Sequence, residues 1–148
     1  MIEAENILIS VEHRYVLKML SGTKTAEIRR RQLRVQPGTY VWIYSKLPRG
    51  HVELTAVVDK VVTASPRKLW SLYQERIGVS RAEFESYLKG VEAGCVILLR
   101  DISALQPALD LGTIRRATRD FHPPQFFKRL GVRGPEWKTL AGPQVLRQ

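Results

Sequence analysis

Between Lys24 and Lys46 the chain concentrates side chains suited to anions and flat rings. The segment TKTAEIR alternates, so Thr23, Thr25, Glu27 and Arg29 fall on one face of a strand and Lys24, Ala26 and Ile28 on the other. Glu27 and Arg29 are then close enough for their heads to pair. A carboxylate among cations repels phosphate, so Glu27 must have a specific role there. It forms a structural ion pair, orients Arg29 or Lys24 toward a ligand, or accepts a base amino group. Arg29, Arg30, Arg31 and Arg34 follow, and clustered guanidinium groups repel one another unless an anion or carboxylate compensates them. In TYVWIYSK, Tyr40, Trp42, Tyr44 and Lys46 share a strand face. Aromatic rings in such a stripe either fill a core or stack bases, each stack being worth roughly 1–3 kcal/mol. Trp42 reads as core. Tyr44, next to Lys46 and the basic turn Pro48-Arg49-Gly50, reads as the stacking residue. Gln125, in HPPQ, can hydrogen-bond a base edge. His13, His51 and His122 lie far apart with no cysteine or carboxylate at ligand spacing, so no metal site is expected. No known glycine-rich phosphate loop and no nucleophile elbow is present, and no cofactor is implied.

The charge balance agrees with an anionic partner. Lys plus Arg is 24 against 14 for Asp plus Glu, a net charge of +10 over 148 residues. Residues 23–49 hold seven basic residues and one acid, and residues 113–148 hold eight and two, while the remainder is slightly acidic. Two stretches therefore carry the whole excess, Arg outnumbering Lys in both. If the fold joins them they form one positive face, for which nucleic acid is the commonest polyanion. The length suits a single domain, and 44% hydrophobic against 26% charged residues excludes wholesale disorder. No apolar run is long enough to span a bilayer, and MIEAENILIS lacks the basic start of a secretory signal. The lone Cys95, inside CVILL, excludes an internal disulfide and reads as a buried thiol. These features together predict a cytoplasmic protein.

The elements that must position these residues follow from the pattern. NILISV at 6–11 reads as a buried strand, EHRYVLKMLS at 12–21 as a helix stopped by Gly22, and 23–29 and 39–46 as strands. Residues 51–63 form a long strand whose alternation shifts near Val57-Val58, the mark of a bulge or sharp coil. Ser65-Pro66 opens a helix running to Gly78, and the capping box from Ser80 to Glu83 opens another ending at Gly90. Residues 95–102 form a strand, PPQFFKRL at 123–130 a short helix opened by Pro124, and 132–148 a basic, poorly packed tail. The short links from 23 to 63 predict three consecutive antiparallel strands of one curled sheet. The fold class expected is α+β: a small, curled, mostly antiparallel β-barrel with flanking helices.

ILISVEHRYVLKMLSGTKTAEIRRR resembles the opening of an ASCH domain, a branch of the PUA-like superfamily: an apolar strand, a helix ending Leu20-x-Gly22, then Lys24, Thr25, Glu27, Ile28, Arg29 and Arg30. VWIYSK, VELTAVVDKVV, the two-helix stretch SPRKLWSLYQERIGVSRAEFESYLKG and HPPQFFKRL resemble later family segments, in order. The resemblance covers about residues 5–131, which sets residues 1–131 as an ASCH/PUA-like domain. It implies a pseudo-barrel with a cleft beside the first helix, RNA binding and RNA-linked regulation. Some members are enzymes: one type deacetylates an acetylated cytidine, and another cleaves single-stranded RNA. Lys24 matches the reactive lysine of the amidohydrolase type, but Glu27 stands where that type has a threonine, and Ile77 falls near its helix glutamate. The chain is therefore not expected to hydrolyse acetylated cytidine.

The reading that results is an RNA-binding protein for single-stranded RNA or RNA with exposed bases. Arg30, Arg31, Arg34 and Arg49 hold phosphates, Lys24, Thr25, Glu27, Arg29, Lys46 and Gln125 line the cleft, and Tyr44 stacks. The alternatives are a ribonuclease acting on single-stranded RNA with Lys24 or Lys46 as the catalytic cation, a hydrolase of a modified nucleoside, and a small regulator binding a nucleotide or a protein.

Overall fold

The computed structural model describes residues 4–140. In chain order the elements are β1 (Asn6–Val11), α1 (His13–Leu20), β2 (Ala26–Arg29), β3 (Tyr40–Ser45), β4 (His51–Ala64), α2 (Pro66–Ile77), α3 (Arg81–Tyr87), β5 (Gly94–Asp110), α4 (Leu111–Ala117) and β6 (Phe127–Gly131), followed by a 3-10 turn over Glu136–Leu140. The six strands form one sheet in the order β2-β5-β4-β3-β1-β6. β1 and β3 run parallel, Asn6 opposite Tyr40 and Val11 opposite Ser45, and the other pairs are antiparallel.

This corrects the expected architecture. The sheet is open and mixed, not a closed, mostly antiparallel barrel, because its end strands β2 and β6 do not pair with each other. Nor do residues 23–63 form three consecutive antiparallel strands. β3 and β4 make the expected hairpin, but β2 pairs with β5, Ala26 opposite Leu98 and Arg29 opposite Cys95. Period-2 alternation states which face a residue takes and says nothing of which strand lies beside it. The chain crosses to one edge of the sheet for β2, then returns through residues 30–39 to lay β3 alongside β1.

The sheet is buried on both faces, which explains why the central strands show apolar residues at successive positions. On one face Ile7, Ile9 and Val11 of β1 meet Val41 and Ile43 of β3, Leu54, Ala56 and Val58 of β4, and Val16 and Met19 of α1. On the other, Leu8, Trp42, Tyr44 and Val52 pack with Leu105, Ile114, Phe121 and Trp137. A third cluster joins Ala26 and Ile28 of β2 and Val96 and Leu98 of β5 to Leu69 and Ile77 of α2 and Phe84 and Leu88 of α3. The register of β4 against β5 shifts on both sides of Val57-Val58, where the alternation slips in the sequence.

The helices begin as the sequence signals imply: the Ser65 hydroxyl accepts from the Lys68 amide and the Ser80 hydroxyl from the Glu83 amide. Two segments depart from expectation. PPQFFKRL contributes β6, paired antiparallel to β1, not a helix. α4 lies where the sequence pattern shows no periodicity; it is opened by Asp110, whose carboxylate accepts from the Thr113 amide. The tail expected over 132–148 falls partly outside the described residues. Within them Trp137 is buried, its ring edge-on to Trp42 and Phe121 at 6.2 and 5.1 Å.

A cavity between the first helix and the third

The parallel pairing of β1 and β3 brings the carboxyl ends of both strands to one edge of the molecule, the position where open α/β sheets commonly bind ligands. The Lys46 amide continues that pairing, donating to the Val11 carbonyl at 2.9 Å. α1 leaves β1 there, and the face of α3 bearing Ala82, Glu83, Ser86 and Tyr87 stands across from it. A cavity of about 550 Å³ lies between them, with Lys24, Glu27 and Arg29 along another wall.

Glu27 organises that wall. One carboxylate oxygen is 3.2 Å from the Lys24 ammonium and the other 2.9 Å from Arg29 Nη2. Lys24 starts the wall ahead of β2, which begins only at Ala26, so it is not bound by strand alternation and reaches Glu27 as an i,i+3 neighbour. Lys24 is 0% exposed, and its Nζ also donates to the carbonyls of Ala26 and Ile77 at 2.8 and 2.6 Å. Burial pulls the Lys24 ammonium below the usual lysine range, and the nearby Glu27 partly restores it. For Glu27, burial pushes the carboxyl up, but Lys24 and Arg29 outweigh it and hold it below the usual carboxylate range. Arg29 Nη2 also donates to the Ser10 carbonyl at 2.8 Å, and the Phe126 ring lies 5.8 Å from the guanidinium carbon. Arg29 Nε is buried and has no hydrogen-bond partner among the described residues.

The opposite side is tied by Glu83. It accepts from the Tyr15 hydroxyl at 2.8 Å and pairs with Arg14 at 2.8 Å, which also pairs with Glu12. Burial, then the bond to Glu83, pushes the Tyr15 phenol up to about 12. The same hydrogen bond from Tyr15 leads the effects that hold Glu83 below the usual carboxylate range. The carboxylates of the cavity are thus matched by Arg14, Lys24 and Arg29. Lys46 is exposed and has no ion-pair partner among the described residues.

Of the residues singled out from the sequence, Lys24, Glu27, Arg29 and Lys46 line this cavity. Thr25 turns to α2, its hydroxyl accepting from Arg76 Nε at 2.8 Å. Arg30 Nη1 donates to the carbonyls of Tyr87 and Lys89 at 2.8 and 2.9 Å. Arg31 and Arg34 are exposed on the loop, and the Arg34 carbonyl accepts from Arg129 at 2.6 Å, which joins the two basic stretches at that point. Arg49 pairs with Glu53. Tyr44 is 3% exposed in the cluster on the other side of the sheet, and its hydroxyl has no partner among the described residues. Gln125 is exposed, while its neighbour Pro124 accepts from the Ser10 hydroxyl at 2.6 Å.

The sequence reading missed Ser10, Glu12, Arg14, Tyr15, Ser86 and Tyr87. It recognised Glu83 only as a capping-box member. The helical spacing of Ala82, Glu83, Ser86 and Tyr87 was the available signal, since it sets four residues on one face of α3.

Among the described residues, no group of three or more His, Cys, Asp or Glu side chains is placed to hold a metal ion, and no helix is long and apolar enough to cross a membrane.

A family model described as a domain of unknown function, DUF365, matches residues 5–126. The chain belongs to this family. This DUF365 chain is also 28% identical over 123 residues to a curated ASCH domain-containing ribonuclease from Zymomonas mobilis, covering 83% of the chain and 82% of that protein. The crystal structure of ASCH from Zymomonas mobilis matches it with a TM-score of 0.84 at 27% identity, over 92% of the chain and 93% of that structure. A serine-to-alanine variant of that ASCH protein gives a TM-score of 0.83 at 26% identity, over 95% and 96%. The ASCH resemblance read from the sequence therefore holds for this DUF365 member.

Proposed function

We propose that this protein acts on RNA in the cytoplasm, taking a single-stranded segment at the cavity between α1 and α3. The observation that carries the reading is Lys46. It is a cavity cation without an ion-pair partner among the described residues, at the carboxyl end of the parallel strands, in a chain similar over most of its length to a ribonuclease. Arg29 supports it as a guanidinium lining the same cavity. Arg31 and Arg34 extend the positive surface along the loop toward Arg129. The groups suit a phosphodiester backbone, since guanidinium and ammonium donors match its charge and geometry.

The second reading, cleavage of the bound strand, rests on the ribonuclease relative. In it Lys46 is the group that stabilises the extra negative charge of the phosphorane. Lys24 is the weaker candidate of the two, because its ammonium already donates to two carbonyls and pairs with Glu27. Purified protein is incubated with end-labelled single-stranded RNA. Cleavage that persists through purification and disappears in Lys46→Ala, with the thermal unfolding curve kept, makes the protein a ribonuclease. Binding without cleavage makes it a binding module. No binding at low salt removes the RNA reading.

A further inference from the structure

The cavity has two tyrosines, and the structure treats them differently. The ring and the hydroxyl of Tyr15 are committed to protein groups: Arg14 lies 4.4 Å and Lys24 Nζ 5.3 Å from its ring centre, and its hydroxyl is held by Glu83. Tyr87, at the end of α3, lines the same cavity, is 39% exposed, and makes no ring contact or cation–π contact among the described residues. An aromatic ring that lines a cavity, stays partly exposed and has no ring partner among the described residues is what a sequence-tolerant stacking platform requires.

Its position is fixed from the basic loop. Arg30 Nη1 donates to both the Tyr87 and the Lys89 carbonyls, so a cation closes the C-terminus of α3, where helix carbonyls otherwise lack partners. Burial raises the Tyr87 phenol, and Arg29, Glu27 and the Arg30 backbone act on it. Arg30 is thus engaged with protein, unlike Arg31.

Resting on the RNA reading above, we propose that the Tyr87 ring stacks an unpaired nucleobase at the cavity mouth, and that Arg30 is the positioning residue that holds it there. The strand's phosphates then lie toward Lys46 and the loop arginines, and recognition of the base is by its flat face. Such a site favours RNA with exposed bases over paired RNA, whose bases are already stacked.

The test measures anisotropy of two labelled probes at several salt concentrations: a short single-stranded RNA and a ribose-phosphate oligomer of equal length without bases. Tyr87→Phe keeps wild-type affinity for the RNA. Tyr87→Ala and Tyr87→Leu, the second retaining bulk without a π-face, bind it roughly 5- to 150-fold more weakly and bind the baseless oligomer like wild type. Arg30→Ala weakens RNA binding with the wild-type salt slope, because a helix-capping arginine releases no counterion from phosphate. The proposal is overturned if both Tyr87→Ala and Tyr87→Leu bind the RNA like wild type, or if Arg30→Ala lowers the slope by about 0.7 as a phosphate contact does. Failure of the wild type to bind either probe at low salt removes the RNA reading itself, and the stacking proposal with it.

Discussion

The Glu27 carboxylate stands 3.2 Å from the Lys24 ammonium in a wall where Lys24 is wholly buried and Glu27 nearly so. With Arg29 on its other oxygen, Glu27 is the single counter-ion of two buried cations among the described residues. Removing one partner from a buried ion group leaves an uncompensated charge, which costs about 3–5 kcal/mol. Glu27→Ala is expected to lower unfolding stability by about that amount, with urea denaturation as the measurement. A loss below about 1 kcal/mol would mean that solvent reaches the group.

The same carboxylate sets an acid limit. The Glu27 and Asp110 carboxyls both sit below their ordinary values, Glu27 through Lys24 and Arg29 against burial, and Asp110 chiefly through its bond to the Thr113 amide. Groups whose folded pKa is lowered contribute stability that is fully present above the unfolded pKa and is lost as pH falls through the folded value. The thermal midpoint is therefore expected to hold at neutral pH and to drop progressively once pH falls below about 4.5. Glu27→Gln should flatten that drop. A midpoint that keeps the same acid slope in Glu27→Gln assigns the loss to other carboxylates.

Gly78 ends α2 in the left-handed conformation, with φ of +71°. A Cβ there would come within 2.7 Å of Lys24 Cβ, and the lysine cannot withdraw while its ammonium is held at three oxygens. Gly78→Ala combines that clash with left-handed strain of roughly 1–2 kcal/mol, so a larger loss than this is expected in chemical denaturation. A neutral result would show that the stem of Lys24 moves freely.

Salt dependence separates the loop arginines by role. For single-stranded RNA each phosphate contact contributes a slope of about 0.7 in log affinity against log salt. The Arg31→Ala, Arg34→Ala double variant is expected to flatten the slope by about 1.4 if both touch phosphate. Titration at three salt concentrations reads this directly. An unchanged slope would reduce the loop to a solvated face and remove its part in RNA binding.

Tyr44 tests the opposite face of the sheet. Its hydroxyl is buried without a partner among the described residues, and burial pushes its phenol up. An unsatisfied buried polar group costs about 1–3 kcal/mol, so Tyr44→Phe is expected to be at least as stable as wild type in thermal unfolding. A clear fall in stability would reveal a hydrogen bond to that hydroxyl.

Much of the local structure was legible because local signals decide it. Ser65-Pro66 and Ser80 with Glu83 specify helix starts through hydrogen bonds that span three residues. The faces of β3 followed from alternation, Trp42 and Tyr44 on one side and Val41 and Ile43 on the other. Pairing of Glu27 with Arg29 followed from their spacing on β2. Reading Tyr44 as a stacking residue failed to locate it, because alternation assigns a face but not what covers that face. α4, Phe121 and Trp137 cover it here, and none of them is a sequence neighbour of β3.

The cavity itself depended on long-range pairing. Lys46 lines one cavity with Ser10 and Arg14 because β3 lies parallel to β1, and Tyr87 lines it with Arg29 because α3 packs on β2 and β5. Each of those placements brings together residues that are distant along the chain, and the free energy that selects them is shared burial across the three apolar clusters. The sequence alone determined the secondary elements other than β6 and α4, the basic stretches and the ASCH resemblance, since each is written in residues close together or in their order. Only the tertiary structure decided that the sheet stays open, that Arg30 caps a helix, and that Lys46 is left as a cavity cation without an ion-pair partner among the described residues. Those outcomes depend on which strands become neighbours, and nearby sequence does not encode that choice.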